Sequence, residues 1–475
     1  MLNATTFGRV DPSDLAALRD LLASSDPDRR LRPVGLQAID IGHEVLERLP
    51  ERVMAIRRNG PLVIVQDRTL IRRGSDDLKT AVCRLLEPLG EVRVVALGTE
   101  GEPLHADSSA LNAAYDAVET AGCVISVGSG TITDIAKDAT HRAGDLPLAV
   151  VQTAVSVNAF SDDMAVLLRH GVKRTVPSRW PNALLIDQDV VTSAPAAMNR
   201  AGYGELSAMF TAPADWYLAS FAGADDSFHP SVVGLLRGYA EWYLGAADGV
   251  RQAEPAATVE LARLMALSGM ALGIAGRTAP LSGSEHLISH MLDMAAAARG
   301  TETAFHGAQV GVASVLVALV WRHLLEELEP ADLRDRLQPS RASVREAVYD
   351  AFSQLDEDGR AADECWHDVA AKLDRWERAP GPDLADSWAN HRERISELLA
   401  EPAVLADALV RAGAPTRFRE LTPAVDPITA RWALANCHLM RDRFTVVDLA
   451  FFAGIWNDAF VDRILDEAAA LGAGL

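Results

Sequence analysis

The sequence has few cysteines and no excess of basic residues, and each shortage excludes a class of protein. Its 475 residues include four widely spaced cysteines and no Cys-x-x-Cys pair. This argues against a disulfide framework and favours a reducing compartment. Lysine and arginine number 45 against 66 aspartate and glutamate, giving a net charge of −21. Because such a chain repels polyanions, we expect neither nucleic acid nor an anionic membrane as a partner.

Targeting and membrane signals are also lacking. The first residues, MLNATTFGRVDPSDL, contain no basic stretch followed by an apolar run, so we expect no signal peptide. We find no run of about 18 apolar residues and therefore expect no membrane span. The composition, 49% hydrophobic and 23% charged, is that of a globular protein with two or three domains. The expected location is the cytoplasm.

Residues 31–191, which follow a polar N-terminal extension (1–30), alternate between apolar strands and amphipathic helices. The indicated strands are PLVIVQD, EVRVVALG, CVISVGSG, LPLAVVQTA and NALLIDQDVV. Apolar strands separated by helices are typical of a parallel sheet covered on both faces. This predicts an α/β domain, whereas residues 192–475 have helical spacing and almost no strand signal. An acidic stretch at about 326–401 predicts a peripheral helical insertion or a mobile cover.

One turn in the α/β half is typical of nucleotide binding. Gly128, Ser129 and Gly130 follow a strand and precede a helix that contains Lys137. Such a turn presents backbone N–H groups to a pyrophosphate, although a plain strand–helix turn has the same pattern. Lys137 could pair with that anion or with a nearby acid. Asp67, at the end of a strand, could bind an adenosine ribose and favour NAD, or could be an ordinary turn residue.

A possible metal site comes from three separate phrases in the helical half. They are AGYGELSAMF with Glu205, SGSEHLISHMLDM with His286 and His290, and FHGAQVGV with His306. One carboxylate with two imidazoles suits a divalent transition metal that keeps an open position. The alternative is that these are core or solvated histidines with a chance His-x-x-x-His spacing. GVKRTVPSRW, with Lys173, Arg174 and Arg179, could hold a substrate phosphate or be a solvated loop.

Several phrases in order resemble the iron-containing alcohol dehydrogenase and dehydroquinate synthase superfamily, and within it the bacterial sn-glycerol-1-phosphate dehydrogenases. They are VGSGTITDIAK, TAVSVNAFS, KRTVPSRWPNALLIDQDVV, AGYGEL, SGSEHLISHMLDM, HGAQVGV and RDRFTVVDLA. The resemblance implies a Rossmann-like N-terminal domain, an all-α C-terminal domain and an active site in the cleft between them. Relatives are often dimers, so a homodimer is a further expectation.

The resemblance also implies roles for individual residues. NAD(P)H would contact Gly128, Ser129, Gly130, Thr131, Asp134, Thr153 and Ser156, in addition to Asp67, for which the place at the end of a strand suggests that contact. Glu205, His286 and His306 would bind one divalent metal, which is zinc, nickel or iron in relatives. The small-molecule substrate would meet Asn158, Glu205 and His290, and His290 or a metal-bound water would donate the proton.

The implied reaction is metal-dependent reduction of a small ketone by NAD(P)H, with dihydroxyacetone phosphate as the leading substrate and sn-glycerol 1-phosphate as its product. Two other functions stay open: an NAD-using sugar-phosphate cyclase or lyase of the dehydroquinate synthase type, and a nucleotide-binding relative that has lost its chemistry. Three departures from relatives motivate them. Glu205 stands where an Asp is usual, Met209 where a Lys is expected, and Asp162 where a Ser contacts the cofactor. In addition, Gln152 and Val155 replace two prolines.

Overall fold

The computed structural model describes residues 7–169, 172–329, 333, 340–356, 358–378 and 384–475, with residues 169, 172, 173 and 384–386 described by their backbone alone. The chain forms two compact units. The first comprises the chain up to Tyr203 together with Pro230–Arg277, and the second comprises Gly204–His229 together with Thr278–Leu475.

The first unit is built on a six-stranded sheet with the order β1-β10-β7-β6-β2-β5. Every neighbouring pair in this sheet is parallel. Its strands are β1 (Ala38–Gly42), β2 (Leu62–Gln66), β5 (Val92–Ala96), β6 (Cys123–Gly128), β7 (Leu148–Gln152) and β10 (Ala183–Asp187). Two antiparallel pairs accompany it: β3 (Arg72–Arg73) with β4 (Asp76–Asp77), and β8 (Met164–Arg169) with β9 (Val172–Pro177).

Helices cover the sheet as its apolar strands require. The helices of this unit are α1 (Leu15–Ser25), α2 (Leu49–Ile56), α3 (Leu78–Leu86), α4 (Ser108–Val118), α5 (Gly130–Arg142), α6 (Gln188–Thr192), the first part of α7 (Ala196–Leu206), α9 (Pro230–Arg237), α10 (Ala240–Gly245), α11 (Ala247–Arg251) and α12 (Pro255–Ala275). Apolar side chains of α2 and α3 share one core with the strands, including Leu49, Val82 and Ile125. The predicted α/β class is confirmed.

Two strand features were not predicted. Strand β1 was not predicted because Asp40 interrupts its apolar sequence. The buried carboxylate of Asp40 accepts hydrogen bonds from Arg48 and Arg52. Part of the basic segment GVKRTVPSRW, expected to hold a substrate phosphate or to be a solvated loop, forms strand β9 of a hairpin. The side chain of Lys173 lies outside the described residues. Arg179 donates to the carbonyl of Leu146 and to Oδ1 of Asn182 at 2.7 Å, so it has a structural role.

The regular secondary structure of the second unit, among its described residues, is helical apart from one isolated β-bridge between Arg417 and Gly474, which confirms the predicted all-α half. Its helices are the end of α7, α8 (Ala212–Phe221), α13 (Ser284–Ala298), α14 (His306–Glu327), α15 (Arg341–Phe352), α16 (Arg360–Arg378), α17 (Leu384–Leu398), α18 (Pro402–Ala412), α19 (Pro427–Asn436), α20 (Val446–Phe452) and α21 (Asp458–Ala470). The acidic stretch contributes α15, α16 and α17. Buried Lys372 of α16 pairs with Asp448 of α20 at 2.6 Å, which ties this stretch to the C-terminal helices.

Two helices have the length and hydropathy of membrane spans. They are α12 and α14, with 78% and 89% of their most apolar window buried inside the protein. A membrane span is not needed to explain the hydropathy of these two helices, because long buried core helices have the same composition.

Candidate functional site

Three predicted residues meet in the second unit. Glu205 lies near the end of α7, His286 in the first turn of α13, and His306 is the first residue of α14. One donor atom from each lies within 4.8 Å of the other two. Nε2 of His286 is 3.3 Å from Oε1 of Glu205, and Nε2 of His306 is 3.8 Å from Oε2 of Glu205. The structure therefore assembles the carboxylate and two imidazoles that the sequence analysis proposed as metal ligands.

Glycines allow α7 to approach α14 closely at this point. A Cβ on Gly204 would lie 2.3 Å from the carbonyl oxygen of Gly307, and one on Gly311 would lie 3.0 Å from Cα of Gly204. Since neither position has room for a side chain, the backbone next to Glu205 lies directly against the first turns of α14.

The contacts of Nδ1, on the side of each ring away from Glu205, set the tautomers of His286 and His306. Nδ1 of His286 lies 3.0 Å from Oε1 of Glu285, a carboxylate that can only accept. Nδ1 of His306 lies 2.9 Å from Oγ of Ser289, whose hydroxyl donates to Gln309 at 2.6 Å. Each Nδ1 therefore carries a proton, and each Nε2 faces Glu205.

This arrangement fits a divalent cation. Glu205 is 4% exposed, and its buried Oε2 accepts no hydrogen bond from the part of the chain that the structure describes. An Nε2 lone pair that faces a carboxylate oxygen is repelled by it unless a proton or a metal lies between the two atoms. The residues present therefore match the donor set that the sequence analysis assigned to a zinc, nickel or iron ion.

The local charges follow from this geometry. Burial acts to raise the pKa of Glu205, but the adjacent His306 and His286 outweigh it, and the pKa is lowered. Burial acts to lower the pKa of His286, but Glu205 and Glu285 on its two sides raise that pKa to about 9.

His290 lies beside the triad and outside it. Its ring centroid is 5.4 Å from that of His306 and 6.4 Å from that of His286. With Asp293 and His306 it forms a second group whose donor atoms lie within 4.8 Å of one another. His290 is thus placed next to the ligand candidates without belonging to the Glu205 group.

The sequence analysis missed the residues that support the ligands, namely Glu285, Ser289 and Gln309. The one available signal was Glu285, an acid directly before a candidate ligand at the start of a helix. Ser289 and Gln309 gave no signal, because their contact with His306 depends on how α13 and α14 pack.

The predicted nucleotide-binding residues meet in the first unit. Strands β6 and β2 are neighbours, with Val127 opposite Gln66, and the chain order of the strands reverses between them. Ligands of open parallel sheets bind beyond the carboxyl ends of the strands at such a point. Asp67 follows β2 there, and Ser129, Gly130 and Thr131 follow β6.

The turn after β6 has the close packing of a phosphate cradle. A Cβ on Gly128 would lie 2.6 Å from Cβ of Ile132, and one on Gly130 would lie 2.7 Å from a methyl of Val157. Ser129 precedes the 13-residue helix α5 and makes no side-chain capping bond, which leaves first-turn N–H groups available to a ligand. These features fit the pyrophosphate of a dinucleotide.

The loop after β7 completes this edge. Thr153 donates its N–H to the carbonyl of Gly128 at 3.2 Å, and Ser156 follows three residues later, next to Val157. Gln152 and Val155, which stand where two prolines were expected, each donate a hydrogen bond. Gln152 donates to the carbonyl of Ala154 at 2.9 Å, and the N–H of Val155, which a proline would lack, donates to Asn199 at 2.9 Å.

Asp67 is already engaged by protein groups. Its Oδ1 accepts from the N–H of Thr69 at 3.1 Å and from Nζ of Lys79 at 2.7 Å. The first contact is the turn interaction considered as the alternative in the sequence analysis. The second places a cation beside the carboxylate expected to bind ribose.

Asp134, Lys137 and Asp162 form a buried cluster beside the cradle. Nζ of Lys137 donates to Asp162, to the carbonyl of Ala159 at 2.8 Å and to that of Met164 at 2.5 Å. Lys137 thus pairs with an acid, which was one of its two expected partners. Asp162 has its charge compensated by Lys137. Burial raises the pKa of Asp134 to about 8, although Lys137 acts to lower it.

Met209 and Asn158, two residues considered for substrate binding, have few polar contacts with the described residues. Met209 is fully buried, so it packs as a core residue where relatives were expected to carry a lysine. Asn158 is half-buried in the first unit, and its carbonyl accepts from the N–H of Ser161 at 3.4 Å.

Comparisons of the sequence with known proteins agree with this picture. Residues 40–195 match the family "Iron-containing alcohol dehydrogenase". The chain is 27% identical over 417 residues to a glycerol-1-phosphate dehydrogenase [NAD(P)+] from Bacillus licheniformis, covering 87% of this chain and 88% of that protein. It is 29% identical over 297 residues to the enzyme of the same name from Methanosarcina barkeri, covering 61% and 79%.

Solved structures share the fold. A probable glycerol dehydrogenase from Sinorhizobium meliloti superposes with a TM-score of 0.56 at 16% identity, covering 92% of this chain and 96% of that one. Maleylacetate reductase from Agrobacterium tumefaciens gives a TM-score of 0.54 at 14% identity, covering 91% and 96%. The predicted resemblance is confirmed: the chain is similar to iron-containing alcohol dehydrogenases over residues 40–195 and to curated glycerol-1-phosphate dehydrogenases over most of its length.

Proposed function

We propose that this protein is a metal-dependent NAD(P)H oxidoreductase that reduces a small ketone, with dihydroxyacetone phosphate as substrate and sn-glycerol 1-phosphate as product. The observation that carries the proposal is the buried group of Glu205, His286 and His306, in which both imidazoles present Nε2 toward one carboxylate. The substrate follows from the curated relatives, which are named for glycerol 1-phosphate.

The second unit supplies the residues that would hold a divalent metal and handle the proton. When bound, the metal provides a Lewis acid that polarises the substrate carbonyl. Glu205 supplies the single negative charge of the ligand set, which leaves the site net positive toward a substrate oxygen. His290, one helical turn from His286, is the proposed proton donor to the forming alkoxide, because an imidazole exchanges protons near neutral pH.

The first unit supplies the residues that would hold NAD(P)H, which provides the hydride when bound. Ser129, Gly130 and Thr131 at the start of α5 would bind the pyrophosphate, and Asp67 would face the adenosine ribose. The carboxylate of Asp67 shares Lys79, so we propose that either NADH or NADPH is accepted. A cytoplasmic location, a homodimer and the lack of nucleic-acid and membrane partners stay predictions.

The test is an NADH and NADPH oxidation assay with dihydroxyacetone phosphate on protein whose bound metal is quantified by mass spectrometry. We expect turnover with about one metal per chain, and loss of both metal and turnover in His286→Ala and His306→Ala. A His323→Ala variant is the matched control, since His323 lies on the same helix as His306 and contacts Glu327 and Glu467 instead.

Two results would contradict the proposal. Full activity in a metal-free variant would remove the metal from the mechanism. Bound metal without NAD(P)H oxidation, together with conversion of a sugar phosphate to a cyclic product, would assign the cyclase function for which the longer Glu205 carboxylate is the motive.

A further inference from the structure

A second carboxylate lies behind one of the metal-ligand candidates. Glu285 is fully buried, and three donors converge on it. Its Oε1 accepts from Nδ1 of His286 at 3.0 Å and from the N–H of Gly283 at 2.6 Å, and its Oε2 accepts from the hydroxyl of Thr211 at 2.9 Å. These contacts hold Glu285 in one conformation, with an oxygen directed at the ligand.

We propose that Glu285 is a positioning residue that fixes the tautomer of His286 and strengthens its binding of the metal. This inference rests on the metal site of the proposed function. A carboxylate that accepts the Nδ1 proton directs the Nε2 lone pair toward the ion and makes the imidazole a stronger donor. His286 would then be the more strongly held of the two imidazole ligands.

The contrast between the two histidines supports this assignment. Nδ1 of His306 contacts the neutral hydroxyl of Ser289, and behind that hydroxyl lies the amide of Gln309. Asp293 has a carboxylate oxygen within 4.8 Å of a ring nitrogen of His306 and accepts from Nε2 of Gln309 at 3.3 Å. Glu285, in contrast, contacts Nδ1 of His286 directly at 3.0 Å. The charge of Glu285 therefore acts directly on Nδ1 of His286, whereas the group that contacts Nδ1 of His306 is a neutral hydroxyl.

Holding the N-terminus of α13 does not by itself account for Glu285. Asp215 already accepts from the N–H of Ser284 at 2.7 Å and from its hydroxyl at 2.9 Å. A buried carboxylate is costly unless it is compensated. Donors that compensate Glu285 include His286, whose other nitrogen faces Glu205.

The decisive variant is Glu285→Gln, which removes the charge and keeps the shape. An amide oxygen in the place of Oε1 still accepts from His286 and Gly283, and the hydroxyl of Thr211 can rotate to accept from the new NH₂ group. The measurements are the affinity of metal-free protein for Zn²⁺, by competition with a chelator, and the visible absorption of the Co²⁺ form. We expect about 10- to 100-fold weaker Zn²⁺ binding and a shifted Co²⁺ spectrum.

Thr211→Val is the matched control. It removes a hydrogen bond to the same carboxylate and leaves both the charge and the His286 contact in place, so Zn²⁺ affinity should change less than about threefold. If Glu285→Gln does not fold, Glu285→Asp replaces it, since a shorter side chain keeps the charge but withdraws it from Nδ1. The expected loss of Zn²⁺ affinity is then again at least about tenfold.

The outcomes separate this inference from the proposed function. Wild-type Zn²⁺ affinity and an unchanged Co²⁺ spectrum in the folded Glu285 variant would overturn the positioning role while the metal site stands. Equal losses in Thr211→Val and Glu285→Gln would also overturn it, because the effect would then come from packing. A wild-type protein that binds neither Zn²⁺ nor Co²⁺ would instead refute the metal site itself.

Discussion

Replacing Lys137 with methionine should destabilise the first unit in a way that depends on pH. Lys137 is 0% exposed, and its ammonium donates to Asp162 and to the carbonyls of Ala159 and Met164. Removing one member of a buried ion pair costs about 3–5 kcal/mol, because the partner charge is left uncompensated. We expect a loss of about 4 kcal/mol at pH 8, a large part of the 5–15 kcal/mol that is typical of a domain.

The sign of the pH dependence follows from the carboxyl groups that Lys137 faces. Burial raises the pKa values of Asp162 and Asp134 above 3.8, and Lys137 acts to lower both. Without Lys137 both pKa values rise further. A group with a raised pKa contributes its full stability below its unfolded pKa and loses it as the pH rises through the folded value. The cost of Lys137→Met should therefore be smaller at pH 5 than at pH 8.

Urea unfolding followed by far-UV circular dichroism at the two pH values measures this difference. The control is the double variant Lys137→Met with Asp162→Asn, in which a neutral amide replaces the uncompensated carboxylate. It should recover at least half of the loss at pH 8. An equal loss at both pH values, or a double variant as unstable as the single one, would refute the electrostatic explanation.

Three further outcomes follow from the geometry. Gly283→Ala places a Cβ 2.6 Å from Oδ2 of Asp215 and should cost about 1–3 kcal/mol in thermal unfolding, whereas Gly245→Ala, with nothing within 4 Å, should not; equal effects would contradict the crowding argument. Lys79→Met leaves the charge of Asp67 uncompensated and should raise the dissociation constant of NADPH about tenfold relative to that of NADH, as measured by fluorescence titration. An unchanged ratio of the two constants would show that Asp67 does not face the ribose. Zn²⁺ at 100 times its Kd should stabilise metal-free protein by about 2.7 kcal/mol, and the lack of any shift in the melting temperature would argue against the site.

The parts of the fold that the sequence predicted are those with strong local patterns. Strands β2, β5, β6, β7 and β10 all fall within apolar segments identified in the sequence, because the strands of a covered parallel sheet are continuously apolar. Strand β1 was missed because Asp40 interrupts its apolar sequence. The arginines that compensate the charge of Asp40, Arg48 and Arg52, come later in the sequence. The β8–β9 hairpin was missed because the charges of its second strand are typical of a loop.

The candidate site shows the same division. Glu205, His286 and His306 were identified in separate phrases, and the structure brings them together. Their supporting groups could not be found in this way. Thr211 and Glu285 are 74 residues apart, and their contact exists only once α8 and α13 have packed. Local sequence carries the chemistry of a ligand, whereas its orientation depends on contacts between distant segments.

The glycine contact between α7 and α14 determines how far the carboxylate of residue 205 must reach. Because Gly204 already touches Gly307 and Gly311, the two backbones have no room to move closer. Shortening Glu205 to aspartate would withdraw its oxygens by about 1.5 Å, the length of one carbon–carbon bond, with no compensating approach of the helices. The extra methylene of Glu205 thus carries the carboxylate toward the two imidazoles at a backbone separation that cannot become smaller.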